Sequence, residues 1–187
     1  MLGPCLHGDM IRLEPLELED LKDVRSWLAD PDITRHWGDF RGYSEQQIAE
    51  WYKRQAESDK HVRWRITLGG TVIGMTVIED IDWIHRHAET GIMIGDRSAW
   101  GRGCASEAIR LRTQYAFEEL GLERLGSISM SENVPTHVVL AKAGYRQIGR
   151  MQGYFYRHGA WHDAIIFELL RNEWLARADP DQASSSP

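Results

Sequence analysis

A glycine-rich stretch joins a predicted apolar strand to a long helix, and this junction constrains the fold more than any other feature. The strand is predicted at 89–94, the loop reads Trp100-Gly101-Arg102-Gly103-Cys104-Ala105-Ser106, and the helical pattern ends near Gly121. Glycines let the backbone approach an anion closely, and a helix N-terminus adds unpaired amides and the positive end of the helix dipole. Arg97 and Arg102 add full positive charges. The junction therefore predicts a pyrophosphate-binding loop.

Two common nucleotide-binding loops do not fit this stretch. A P-loop needs Gly-Lys-Ser/Thr, which the chain lacks here. The run Gly101-x-Gly103-x-x-Ser106 lacks the third glycine of the dinucleotide fingerprint, and the acidic Glu123 precedes its strand instead of following it. The remaining alternatives are another phosphate-bearing ligand and a glycine-rich connection that binds nothing.

Hydrophobic periodicity predicts the other elements. Strands are predicted at 11–16, 62–68, 71–79, 89–94, 125–130, 145–156 and 161–170, and helices at 18–29, 45–58, from the glycine loop to 121, 135–144 and 173–178. This order predicts an α/β fold with a mixed sheet, antiparallel in its first half and with βαβ crossovers in its second. We expect one domain over residues 1–178 and a disordered tail at 179–187.

Composition narrows the class of partner and the compartment. The 22 basic and 28 acidic residues give a net charge of −6, which disfavours nucleic acid and suits a cationic or amine-bearing partner. Two cysteines, Cys5 and Cys104, give no disulfide framework, so a reducing cytoplasm is expected. No apolar run approaches the length of a membrane span, and we expect no signal peptide and no membrane association.

Four segments together resemble the GNAT acyltransferase superfamily, in the branch that includes the ribosomal-protein N-terminal acetyltransferases. They are the loop Trp100–Ala108, the strand Ala88–Met93, Asn133 followed by Leu140–Tyr145, and Gly149 and Tyr154 with Trp161–Asp163. The match runs in order along nearly the whole chain to about Trp174. The resemblance implies a central mixed sheet that is partly splayed and flanked by helices.

The resemblance also implies acetyl-CoA, or another acyl-CoA, as donor and no metal. The donor would lie between the parting strands 89–94 and 125–130, with its pantetheine arm along the first of them. The residues implied in its binding are Ile92, Met93, Ile94, Arg97, Gly101, Arg102, Gly103, Cys104, Ala105, Ser106, Asn133 and Lys142.

Acyl transfer to an amine at neutral pH needs a base, because an alkylammonium has a pKa near ~10. Glu89 is the candidate base; the alternative is a structural carboxylate bonded to neighbouring backbone. Members of the family often carry a tyrosine as general acid seven residues after the asparagine, and here that position is Leu140. The alternatives for the proton donor are Ser131, Thr136, Tyr154, Tyr156 and water.

The acceptor cleft is implied to lie beside the loop that ends near Trp37 and the turn after the second hairpin strand. The candidate acceptor-binding residues are Trp37, Asp80, Asp82, His85 and Tyr154. Trp37, Trp51, Trp83 and Tyr154 are candidates for an aromatic wall, with core packing as the alternative. A metal site at Asp80, Asp82, His85 and His87 is the weaker interpretation of that turn.

These observations predict an N-acetyltransferase that joins donor and acceptor in a ternary complex and acetylates a primary amine by direct attack. The acceptor is either a small molecule or a protein N-terminus. A catalytically weak acyl-CoA sensor on the same fold is the alternative. A homodimer is left open, since homodimers are the commonest oligomers.

Overall fold

A computed structural model describes residues 1–37 and 42–178, and the predicted tail at 179–187 lies outside the described residues. The strands are β1 Leu6–His7, β2 Ile11–Pro15, β3 Val62–Leu68, β4 Thr71–Asp82, β5 His87–Ile94, β6 Arg124–Met130, β7 Arg146–Arg157 and β8 Ala160–Leu170. The helices are α1 Leu21–Ala29, α2 Glu45–Glu57, α3 Cys104–Glu118, α4 Val134–Ala143 and α5 Arg171–Ala178.

The eight strands form one open sheet in the order β1-β2-β3-β4-β5-β6-β8-β7. Neighbouring strands are antiparallel, except that β5 and β6 run parallel, joined by the crossover through α3. The predicted mixed α/β fold with flanking helices is confirmed. Within the described residues, no helix is both long and apolar enough to cross a bilayer.

Local chemistry explains several element boundaries. Ser44 accepts a hydrogen bond from the amide of Gln47, and the Gln47 side chain accepts one from the amide of Ser44, which forms the predicted capping box of α2. Gly69 and Gly70 both have positive φ in the turn between β3 and β4. The predicted first helix differs, because Leu18–Asp20 forms a 3₁₀ turn before α1 begins.

The sheet separates two apolar cores. One core packs beneath α3, α4 and α5 and contains Trp64, Phe117 and Leu125. The other packs beneath α1 and α2 and contains Val24, Ile48 and Met75. Because side chains alternate along a strand, β4 and β5 contribute to both cores. The face of the sheet under α1 and α2 also carries a cavity.

Glu107 anchors the start of α3 to the N-terminal hairpin. Its buried carboxylate accepts hydrogen bonds from the amides of Asp9, of Met10 at 3.2 Å and of Ile11 at 3.3 Å. These contacts join the turn between β1 and β2 to the first turn of the helix. The carboxylate therefore holds the glycine loop against the sheet.

We expect Glu107→Ala to lower the free energy of unfolding by about 3 kcal/mol, because it leaves several backbone donors without an acceptor. Urea denaturation measures this change. Glu118→Ala, on the exposed side of the same helix, is the matched control and should change stability by less than about 0.5 kcal/mol. Equal losses in both variants would contradict the anchoring role.

Candidate active site

The parallel strands β5 and β6 part in the middle of the sheet. Their pairing ends at Glu89 and Gly126, whereas β5 continues to pair with β4 as far as Ile94 and β6 with β8 as far as Met130. Past the last pair, the backbone groups on the facing edges of the two strands no longer form hydrogen bonds with each other. The predicted splay is confirmed, and it leaves a cleft lined by open backbone groups.

Side-chain hydroxyl groups bridge the vertex of this cleft, the point just past Glu89 and Gly126 where the two strands separate. Thr90 Oγ1 donates to the carbonyl oxygen of Gly126 at 2.8 Å, and Ser127 Oγ donates to the carbonyl oxygen of Thr90 at 3.2 Å. The hydroxyl of Tyr145 lies 3.5 Å from Thr90 Oγ1. These buried contacts fix where the strands separate.

The glycine loop lies at the start of α3. Gly101 and Gly103 have φ of 72° and 87°, a region that other residues rarely adopt, and Gly103 is the N-cap of the helix. The amide of Glu107 makes the first helical hydrogen bond, to Gly103, so the amides of Cys104, Ala105 and Ser106 precede the bonded turns. With the exposed Arg102 beside them, these amides can bind a phosphate group.

Some of the predicted donor-binding residues have other contacts in the structure. Arg97 is engaged with two carboxylates, Asp30 at 2.8 Å and Asp32 at 3.2 Å, and so joins the loop after α1 to the glycine loop. Asn133 Oδ1 accepts from the amide of Thr136 and caps α4, and its Nδ2 is available as a donor to a ligand. Lys142 is exposed on α4.

Along residues 92–94 the backbone N–H and C=O groups point alternately toward the cleft and toward β4. Ser127 reaches the carbonyl of Thr90 from β6, so the polar groups of Thr90 and Ile92 face the cleft, whereas those of Met93 face β4. The carbonyl oxygen of Ile94 already accepts from Trp100 Nε1 at 2.9 Å. Ile92 therefore offers the first free amide beyond the vertex.

A cavity of about 480 Å³ opens beside the vertex, on the face of the sheet beneath α1 and α2. Its aromatic lining residues are Trp37, Tyr43, Trp51, Tyr154 and Phe155, and its acidic ones are Glu79, Asp80 and Glu89. Aromatic faces and carboxylates are the groups that bind organic ammonium ions. The cavity is thus suited to a cationic acceptor adjoining the cleft.

Glu89 lies where the cavity meets the cleft. Its carboxylate sits over Gly126, so closely that a β-carbon on that residue would lie 2.6 Å from Glu89 Cδ. Burial raises the pKa of Glu89, Arg124 lowers it, and Asp80 and Glu79 raise it further. Among the residues that the structure describes, none donates a hydrogen bond to this carboxylate, so its oxygens are available to an amine.

Glu79 and Asp80 add negative charge to the cavity floor. Glu79 is directly opposite Glu89 in the antiparallel pair of β4 and β5, which places their β-carbons about 5 Å apart. Past Glu79 the register shifts, and Asp80 adopts a φ of 53°. This bulge directs the backbone of Asp80 away from the regular ladder at the cavity rim. Like charges opposite each other are unfavourable, and the nearby guanidinium of Arg63 offsets part of this repulsion at Glu79.

Arg63 closes the far end of the cavity floor. It lies in one cross-strand row with Val77 and Gly91, and its guanidinium packs 4.9 Å from the ring centre of Trp51. It is 3.5 Å from Glu79. Burial lowers the pKa of His36 on the opposite wall, so its imidazole is uncharged at neutral pH. The three carboxylates and one guanidinium leave this part of the site negative.

A buried arginine positions the loop that carries Trp37. Arg157, at the end of β7, donates to the carbonyl oxygens of Thr34 and Trp37, both at 2.9 Å. The C-terminal hairpin thereby holds the wall of the cavity that follows α1. The eight residues 30–37 form turns without a helix or strand, and this contact fixes the end of the segment at Trp37.

The cavity contains three of the five predicted acceptor residues, Trp37, Asp80 and Tyr154. Asp82 and His85 lie outside it, because the Asp82 carboxylate accepts from the amide and ring of His85 and closes the turn after β4. Trp83 is also outside the aromatic wall, since its Nε1 donates to the carbonyl of Asp59.

Leu140, at the position of the general-acid tyrosine, is 1% exposed in the core, so it packs and does not face the cleft. Within residues 1–37 and 42–178 no group of three or more His, Cys, Asp or Glu side chains is arranged to hold a metal. Cys104 is a free thiol buried in the core beneath α3.

Sequence reasoning missed Arg63, Glu79 and Gly126. Alternation along 71–79 places Glu79 and Val77 on one face of the strand. This pattern could have predicted that the Glu79 carboxylate faces the site. Nothing in the sequence marks Gly126 as the residue under Glu89, because that contact depends on a pairing between strands 36 residues apart.

Comparisons with known proteins agree with this geometry. The family described as "Acetyltransferase (GNAT) domain" matches residues 11–146. The spermidine N(1)-acetyltransferase of Escherichia coli K12 is 26% identical over 92% of this chain and 91% of its own length. The putative ribosomal N-acetyltransferase YdaF of Bacillus subtilis is 26% identical over 89% of this chain and 88% of its own.

Among solved structures, the fold is similar to that of spermidine N-acetyltransferase from Vibrio cholerae in complex with CoA and spermine. The TM-score is 0.85 at 22% identity, over 90% of this chain and 99% of that one.

We expect Gly103→Glu to weaken acetyl-CoA binding by more than about 100-fold, because it places a carboxylate at the anion-binding end of α3. Isothermal titration of the folded variant measures this. Gly159→Glu, which imposes the same charge at another positive-φ glycine in the turn between β7 and β8, is the control and should leave the affinity unchanged. Tight binding by the Gly103 variant would exclude this loop as the site.

We expect Glu89→Gln to lower kcat by about 10²- to 10³-fold with retained CoA affinity, because the amide cannot accept a proton. In the wild type, kcat should rise with pH through the raised pKa of Glu89 and then level off, since the carboxylate is the active form. The Gln variant should lose this limb of the pH profile.

Gly126→Ala should lower kcat in a similar way, because the added methyl group displaces the carboxylate of Glu89. Gly149→Ala on β7, where the nearest atom to a β-carbon is Ile166 Cδ1 at 3.4 Å, is the matched control. Full activity of the Gly126 variant would show that the observed position of Glu89 is not needed.

Proposed function

The chain belongs to the GNAT acetyltransferase family and is an acetyl-CoA-dependent N-acetyltransferase, and from this premise we propose that its acceptor is an aliphatic diamine or polyamine. The observation that carries the proposal is the cross-strand pair of Glu79 and Glu89 on the floor of an aromatic cavity. Spermidine is the acceptor in the names of two of the relatives, which supports the same class.

The donor is placed in the cleft between β5 and β6. The amides at the start of α3 and the guanidinium of Arg102 hold its pyrophosphate, and the free amide of Ile92 faces its acyl arm. Asn133 Nδ2 is available to the same arm. The acetyl group then emerges at the vertex, beside Glu89 and the cavity.

Catalysis proceeds by direct attack in a ternary complex. Glu89 takes a proton from the bound ammonium, and the amine nitrogen attacks the thioester carbon. The C–N bond forms as the π-electron pair of the carbonyl moves onto its oxygen. The C–S bond breaks as that pair returns, and the excess proton on nitrogen passes to the departing CoA thiolate. Burial keeps the pKa of Glu89 above its ordinary range and so improves it as a base toward an amine.

The second ammonium group of the acceptor is placed at Glu79 and Asp80. The β-carbons of Glu79 and Glu89 are about 5 Å apart, a spacing on the scale of a short diamine segment, and a dication would relieve the repulsion that Arg63 offsets only at Glu79. The walls formed by Trp37, Trp51 and Tyr154 exclude water from the methylene chain.

The test is a comparison of acceptors by thiol release from acetyl-CoA: spermidine, a short diamine, a primary monoamine of equal length, and a peptide with a free N-terminus. We expect kcat/KM to be highest for the two amines with a second charge. A higher value for the peptide would instead assign the chain to protein N-terminal acetylation.

We expect Glu79→Gln to lower kcat/KM for the diamine by about 10- to 100-fold and to leave that for the monoamine within about threefold. The loss of the ion pair with Arg63 affects both acceptors alike, whereas only the diamine loses a carboxylate partner for its second ammonium group. Glu118→Gln on α3, beneath the other face of the sheet, is the control. Equal losses for diamine and monoamine would contradict the placement of the second ammonium group.

A further inference from the structure

Arg112 is a buried cation that pairs with no carboxylate in the part of the chain that the structure describes. It is 1% exposed beneath the sheet, on the face of α3 that packs against β4 and β5. Within residues 1–37 and 42–178, no carboxylate forms an ion pair with it, and its Nε has no hydrogen-bond partner. Removing a charge from water in this way is unfavourable in free energy. The hydrogen bonds that the buried guanidinium does form are therefore the best guide to its role.

Both contacts of Arg112 lead to one peptide group. Its Nη1 donates to the carbonyl oxygen of Gly91 and to Thr76 Oγ1, each at 2.8 Å. Thr76 Oγ1 donates to the same carbonyl oxygen at 2.9 Å. The carbonyl oxygen of Gly91 thus accepts from a hydroxyl and from a full positive charge.

The other end of that peptide group faces the cleft. The carbonyl of Thr90 is bonded from β6 by Ser127, so that of Gly91, one residue on, faces β4. The peptide bond is trans, and its N–H therefore points opposite to its C=O. This N–H belongs to Ile92, and it enters the cleft three residues beyond Glu89, where β6 no longer pairs with β5.

We propose that Arg112 is a positioning residue that polarises the Gly91–Ile92 peptide, so that the Ile92 amide binds the thioester oxygen of the acetyl donor. This inference rests on the placement of acetyl-CoA in the cleft under the proposed function. Donors on a carbonyl oxygen strengthen the N–H of the same peptide, and a low-dielectric surrounding increases the effect.

In the reaction, attack of the amine on the thioester carbon moves a π-electron pair onto the carbonyl oxygen. The Ile92 amide holds this oxyanion, and the buried charge of Arg112 stabilises it from behind the sheet. The electron pair returns as the C–S bond breaks. Glu89 holds the proton taken from the ammonium before attack, and the second nitrogen proton goes to the leaving thiolate. Arg112 exchanges no proton and touches no substrate.

The test is isotope-edited infrared spectroscopy of acetyl-CoA labelled with ¹³C at the thioester carbonyl. It needs no acceptor, so its result is independent of which amine the enzyme uses. We expect the carbonyl band of the bound donor to lie at lower frequency than that of the free donor in the wild type. Arg112→Gln, which keeps a donor but removes the charge, should lose most of this shift.

Kinetics give a second readout. Arg112→Gln and Arg112→Met should lower kcat by about 10-fold, with KM for acetyl-CoA changed by less than about threefold, because the interaction strengthens in the transition state. Arg112→Lys should retain part of both the band shift and the rate. Arg110→Gln, an exposed arginine of the same helix, is the matched control.

A wild-type band at the frequency of free acetyl-CoA would overturn the inference without any variant. So would an unchanged band and kcat in a folded Arg112→Gln. If that variant does not fold, Thr76→Val removes the second donor to Gly91, and an unshifted band and rate in it count against the proposal. Failure of the wild type to bind acetyl-CoA would overturn the proposed placement of the donor as well, whereas rejection of polyamines alone would leave this inference standing.

Discussion

The rest of the site depends on the loss of pairing between β5 and β6 beyond Glu89 and Gly126. A parallel pair inside a sheet normally satisfies every backbone group of its facing edges. Here the hydroxyls of Thr90 and Ser127 hold the strands together up to the vertex, and the remaining edge of β5 is left open. The same parting that makes room for the donor brings the acceptor cavity to its reacting end.

Electrostatics then divide the site into two regions. The start of α3 and Arg102 present positive charge at the mouth of the cleft, whereas Glu79, Asp80 and Glu89 make the adjoining cavity negative. An anionic donor and a cationic acceptor are thus drawn to different sides of one vertex. Burial sets the pKa of Glu89 above that of an exposed carboxylate, and its carboxylate neighbours act in the same direction.

Buried arginines carry much of the long-range organisation. Arg157 holds the cavity wall after α1 through two carbonyl groups, and Arg112 joins α3 to the central strands. Arg63 fills the end of the cavity between Trp51 and Glu79. In the sequence each of these residues resembles an ordinary surface arginine, because nothing in its neighbours shows that its partners are backbone carbonyls or rings from elements far along the chain.

Most elements follow from local patterns in the sequence, such as periodicity, the Ser44–Gln47 capping box and the Gly69–Gly70 turn, although β1 and the 3₁₀ turn at Leu18–Asp20 do not. The glycine loop is also a local pattern, and the resemblance to the acyltransferases put Glu89 on the parting strand. The surroundings of Glu89 depend on contacts between distant segments. The bulge at Asp80 and the register of β4 set which carboxylates meet, and strand pairing across the crossover puts Gly126 beneath Glu89. The structure also places Asp82, Trp83 and His85 outside the cavity. Local patterns fix a residue's face, but the partner on that face depends on contacts between distant segments, whose register no local pattern encodes.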